Sequence, residues 1–219
     1  MRQMLIAAGC LMAAMPLGWI GANTVSSPAN GKEPRFPQLA LEQLDEQQRP
    51  VGEKIVKISS VGLGGPYNPM LRSPVYAQRM YDLLDYLRWH TSVPTKLNEM
   101  AILIVGRQWR SQVEWFAHAP LAIKAGLSPE IAKAVAEGRR PAGMSDDEAT
   151  IYEFCIELQH NQSVSDATYA VALAKFGEQG IIDMVGVNGF YTYLAMVINV
   201  AHTPLPKRSS APTLAAFPR

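Results

Sequence analysis

Glu114 and His118 stand four residues apart. On a helix that spacing puts a carboxylate and an imidazole on one face. An imidazole so placed can move a proton near neutral pH, and Glu114 could orient it or share the proton. Upstream, Glu99 opens an apolar run, Met100 to Val105, which should lie deep in a core. The run reads as a buried helix leading into a second helix that carries Glu114, Trp115 and His118. A polar pair held there suits a small active site. It equally suits a satisfied structural hydrogen bond, and on the residues alone both readings stand.

Further groups could serve such a site. Arg107 and Arg110 could hold a substrate carboxylate, because a guanidinium fork matches it at two points; Arg72 is a third candidate. Tyr191 and Tyr193 could offer hydroxyl donors, but two residues apart they face different ways. Each has a plainer reading. Glu99 either caps its helix start or relays a proton. Trp109, Trp115 and Phe116 are packing residues by default, with Trp115 also placed to line a site. Arg107 and Arg110 could form ion pairs at the surface or at a subunit contact. His90, His160 and His202 lack mutual spacing for a metal site, so no metal is expected.

These residues need a scaffold. The chain has 219 residues, 48% hydrophobic and 18% charged, with formal net charge +1. That is enough for one domain with a real core. No basic field is present to attract nucleic acid. The two cysteines, Cys10 and Cys155, exclude a disulfide framework and any CxxC metal or redox motif.

Residues 1–22 read as a secretory signal: Arg2, an apolar stretch, then Ala22 before a polar segment. The same stretch could be retained as a membrane anchor. Export to a periplasmic or extracellular location is the expectation, leaving Cys155 as the one mature thiol. Residues 23–40 form a Pro- and Gly-rich arm. A first helix is expected near Leu41, broken at Pro50, and a second from Pro74 to Trp89. The Gly-rich loop between them lacks phosphate-binding spacing. Gly126 and Gly138 should end helices, with starts at Ser128, Ser145 and Ser165. The last helix, from Gly180, is apolar on most sides and suits a buried or subunit contact. Residues 207–219 form a loose tail. The fold class expected is all-α, with the helical domain at 41–206.

Five segments occur in order: GGPYNPMLRSP, VPTKLNEMAILIVGRQW, VEWFAHAPLAIKAGLS, VSDATYAVALAKFGEQG and GFYTYLAMVIN. Together they resemble the carboxymuconolactone decarboxylase family, whose helical fold is shared with the alkylhydroperoxidase AhpD proteins. The resemblance covers roughly residues 35 to 206. It implies a helical subunit in a trimer or hexamer, with a pocket among the central helices near a neighbouring subunit.

In the peroxidase branch a glutamate precedes a CxxC pair, and a histidine follows on the same helix. Glu99 and His118 match the glutamate and the histidine; Ser111 and Glu114 fall where the cysteines would be. Thiol peroxidase chemistry needs a thiolate and a resolving thiol, which this pair cannot supply. The decarboxylase branch implies a reaction without cysteine, metal or organic cofactor. There an unsaturated carboxy-lactone loses carbon dioxide and is protonated. His118 is the expected acid, with Glu114 and Glu99 beside it, and Arg107, Arg110, Arg72, Trp115 and Tyr191 about the substrate. Two other readings are carried: a non-catalytic, exported, oligomeric small-molecule binder, and a peroxidase using Cys155.

Overall fold

The computed structural model describes residues 33–59, 61–205 and 214. The leader reading, residues 1–22, and nearly all of the tail lie outside the described residues. Among these residues the chain forms eight α-helices and no strand: α1 Arg49–Ile58, α2 Tyr67–Met70, α3 Pro74–Trp89, α4 Thr95–Gln108, α5 Gln112–Lys124, α6 Pro129–Ala136, α7 Asp146–Asn161 and α8 Asp166–Ala201. The class is all-α, as expected.

α4 is the axis of the bundle. Met100 through Val105 are each at most 2% exposed, so this helix buries every side rather than one stripe. α3, α5, α6, α7 and α8 all pack against it.

Serine caps set the starts. The Ser128 hydroxyl accepts from Glu130 N at 3.3 Å, and the Ser165 hydroxyl accepts from Thr168 N at 3.3 Å. Ser145 and Glu148 form a reciprocal capping box. Several ends close by one device. After α5, Leu127 N donates to Ala122 O and Gly126 N to Ile123 O, with Gly126 at φ 100°. After α6, Arg139 N and Gly138 N repeat that pattern, which is the Schellman arrangement.

One boundary differs from expectation. Pro50 does not break a helix begun at Leu41; it sits in the first turn of α1, where its missing N–H costs nothing. Leu41–Gln43 is a separate 3-10 turn, and Asp45 accepts from the N–H groups of Gln47 and Gln48 to nucleate α1. α8 holds the two helical segments expected from Ser165 and from Gly180, joined across a kink at Gly177. There φ is 66° and ψ −179°, a conformation essentially reserved for glycine.

α8 is long and apolar enough to cross a membrane by length and composition. It behaves as a core helix, since 56% of its most apolar window is buried. It also holds polar ties inside the bundle. Asp183 accepts from Tyr86 Oη at 3.0 Å and from Ser92 N and Oγ at 2.7 Å each. The described part of the arm, residues 33–40, is irregular but anchored: Arg35 N donates to Ala201 O at 2.9 Å. In the tail, Leu214 N donates to Gln112 Oε1 at 2.6 Å.

Candidate functional site

The site is built on the α4–α5 hairpin. α4 ends at Gln108 with Trp109 as its C-cap, and the chain reverses through Arg110, which takes the left-handed conformation at φ 50°. Ser111 N then donates to Gly106 O at 2.8 Å and Arg110 N to Arg107 O at 3.1 Å. This is again the Schellman closure, here with arginine in the position glycine usually fills. The reversal lays α5 back along α4. A Cβ placed on Gly106 would lie 3.6 Å from Glu114 Cβ, so the two helices approach closely there. Further along the same hairpin, Glu99 meets His118.

His118 Nδ1 and Glu99 Oε2 are 2.7 Å apart. The residues are only 6% and 5% exposed. A contact this short between a carboxylate and an imidazole is charge-assisted and fixes the ring. Glu99 lies in the second turn of α4, not at its cap, so the capping reading does not describe it. Tyr191 of α8 closes the imidazole's edge: ring centroids are 5.1 Å apart and the planes meet at 87°.

Glu114 does not bond His118. It shares the face that the four-residue spacing predicts, yet its carboxyl meets no charged partner, only the Ser111 hydroxyl beside it, and the residue is buried. Burial pushes its carboxyl well above the ordinary range, with the Ser111 hydroxyl opposing the shift in part. The Tyr191 hydroxyl is likewise buried without a partner. Burial raises that phenol well above its usual value; the Arg88 guanidinium opposes this, while Glu99, Tyr67 and Glu114 add to it. Trp115 is buried in the core, and its indole N–H has no partner either.

The three arginines go elsewhere. Arg72 clamps the arm: its guanidinium donates to Asn68 O, Asn68 Oδ1 and Pro37 O and lies over the Phe36 ring. That fork is spent on protein carbonyls, so Arg72 is not a substrate clamp here. Arg107 follows Glu99 by eight residues on α4, a rise of about 12 Å. It is buried, with its Nη2 3.1 Å from where a Cβ on Gly138 would stand. It lines a separate cleft of about 70 Å³ with Val135, Gly138, Tyr152 and His160. Arg110, in the reversal, is exposed. A second cleft, of about 340 Å³, runs between α1 and α3 by Pro50, Val51, Pro74 and Arg79. Neither cleft includes the dyad.

Tyr67 and Arg88, which sequence reasoning did not single out, act on Tyr191 through charge. Burial raises the Tyr67 phenol, while Arg88 lowers it through its charge and a hydrogen bond. These two groups come from the α2 and α3 region, so no local spacing links them to His118. Tyr193 faces away from His118: its ring stands edge-on to Tyr76 at 5.7 Å. Cys155 is fully buried, accepts from Asn188 Nδ2 at 3.2 Å, and is pushed by burial to about 12. His90 and His160 are exposed near the ends of α3 and α7. No metal-binding cluster of His, Cys, Asp or Glu occurs among the described residues.

No protein-family model matches the chain, and no curated protein does. Among solved structures it is similar to the alkylhydroperoxidase AhpD core, an uncharacterized peroxidase-related protein, from Ralstonia eutropha JMP134. The TM-score is 0.62 at 14% identity, covering 79% of this chain and 92% of that one. The fold is therefore that of the AhpD core. At this identity the likeness extends to the fold alone.

Proposed function

We propose that this chain is a cofactor-free, carboxymuconolactone decarboxylase-like lyase acting on a small carboxylated lactone or related acid. The buried 2.7 Å contact between His118 Nδ1 and Glu99 Oε2 carries the reading. Glu99 orients the imidazole and stabilises its protonated form, which directs Nε2 to the substrate. When carbon dioxide leaves, the bonding electrons pass into the unsaturated lactone, and His118 returns a proton to carbon. Preorganised donors answer the charge that develops on the lactone oxygen; Tyr191 is one. Arg88, whose guanidinium lies over the Trp89 ring and bonds Tyr67, acts on Tyr191 through its charge.

Two features weigh against peroxidase chemistry in this fold. Ser111 and Glu114 cannot form a thiolate or a disulfide, and Cys155 is closed in the core as the thiol. The test offers the purified protein 4-carboxymuconolactone and, separately, an organic hydroperoxide with a thiol reductant. Carbon dioxide release without peroxide consumption supports the lyase. Binding of the lactone without product supports a small-molecule binder, and peroxide turnover overturns both.

Assembly as a homo-oligomer, trimer or hexamer, belongs to the same proposal. Val75, Tyr76, Leu83, Tyr86 and Trp89 are exposed along one side of α3, and Ile182, Val185, Met196 and Val200 along one side of α8. The two helices pack together. Exposed apolar rows of this kind on two neighbouring helices suit an interaction site. Export rests on the sequence of residues 1–22 alone.

A further inference from the structure

The mechanism above leaves the buried Glu114 carboxyl unused. Glu114 sits one turn before His118 on α5, 4% exposed, with no charged partner and only the N-cap Ser111 hydroxyl beside its carboxyl. Glu99, equally buried on the facing helix, spends its carboxylate on His118. Of the neighbouring polar groups, the N-cap Ser111 hydroxyl acts on the Glu114 carboxyl, and Glu114 in turn acts through its charge on Tyr191 of α8. The ionisable residues of α6, Glu130 and Lys133, are exposed. No salt bridge to Glu114 occurs among the described residues. A buried, unpaired carboxylate is strongly disfavoured, and such a group takes a proton instead.

We propose that Glu114 stands in the site as the neutral acid and donates a hydrogen bond to a carboxylate or carbonyl oxygen of the bound molecule. The two glutamates then divide the work: Glu99 is the carboxylate that holds His118, and Glu114 is the donor. Environments that drive two carboxyls apart make such an assignment. The charge count fits an anionic ligand. Glu99 is taken up by His118, and a neutral Glu114 adds no negative charge. With Glu114 ionised, a second negative charge would repel the ligand. The proposal deepens the lyase reading and rests on it for the ligand's class, a small carboxylate.

Infrared difference spectra of the full chain against Glu114→Gln, at neutral pH, provide the test. The wild type should show a protonated-carboxyl C=O stretch that the variant lacks. Binding of furan-2-carboxylate, a flat monoanionic probe, is then measured against pH. Glu114→Gln keeps a neutral donor and should bind within about twofold of wild type; Glu114→Ala should bind about tenfold more weakly, the loss of one hydrogen bond to a charged group. Wild-type affinity should fall as pH rises through the Glu114 titration, and the Gln variant should lack that component. An absent carboxyl band, a wild type that does not bind the probe, or equal affinity in the Ala variant overturns the proposal. If the band and binding are as stated but no carboxylated lactone is turned over, the lyase reading fails and the Glu114 assignment stands.

Discussion

His118 Nδ1 lies 2.7 Å from Glu99 Oε2 across the α4–α5 hairpin, nineteen residues away in sequence and closed from solvent. The carboxylate selects the ring orientation and the nitrogen that faces outward. Glu99→Gln keeps size and burial but removes the charge that stabilises the imidazolium. The variant should fold as wild type by circular dichroism and lose about 10- to 100-fold in kcat, in line with orienting groups elsewhere. Steady-state kinetics with the lactone checks this, with the loss in kcat rather than KM.

Glu114 makes stability depend on pH with a definite sign. Its folded-state carboxyl titrates well above the ordinary 4.5 because burial penalises the charged form. Between the unfolded and folded values the native state holds a proton that the unfolded chain has lost. Stability from this group is therefore full below about 4.5 and falls as pH rises, by up to about 1.4 kcal/mol per pH unit. Urea unfolding of wild type and Glu114→Gln from pH 5 to 8 should show the variant gaining on wild type as pH increases. Parallel curves would mean that Glu114 ionises freely in the fold.

Cys155 should be chemically silent. It is fully buried, and burial lifts the thiol to about 12, so almost no thiolate exists at neutral pH. Iodoacetamide should label it slowly in native protein and rapidly in denaturant, as mass spectrometry will report. Cys155→Ser should retain turnover.

The exposed stripe on α3 and α8 predicts association. Ile182 is 69% and Val75 73% exposed, large apolar groups on a surface that a partner copy would cover. Analytical ultracentrifugation should find an assembly larger than one chain, and Ile182→Glu should shift it toward monomer. A wild type that sediments as a monomer at all concentrations contradicts the assembly.

The fold was legible because local signals agree with packing. Ser128, Ser145 and Ser165 are caps where serine precedes an acid or an apolar run, and Gly126 and Gly138 end helices at positive φ. The apolar run from Met100 is as buried as its composition demands. Pro50 misled because one residue can break a helix or begin one, and the deciding turn at Asp45 is a side-chain contact. In the site, helical spacing set Glu114 and His118 on one face but could not say whether they touch. His118 finds its partner across the hairpin, and that contact depends on a reversal at Arg110 in a conformation arginine seldom adopts. The arginines were read by chemistry alone. Their positions follow from tertiary packing: Arg72 is drawn to the arm's carbonyls and Arg107 to the end of α6. Arg88 and Tyr67 act on Tyr191 through charge, from helices that share no spacing with it.

Carbon dioxide release from 4-carboxymuconolactone, followed for wild type and His118→Ala side by side with folding verified for both, tests the central claim most directly. The account predicts turnover by the wild type and a loss of about 10²- to 10⁴-fold in the variant, the range expected when a positioned proton-transfer group is removed. A folded His118→Ala that turns over the lactone at the wild-type rate would contradict it.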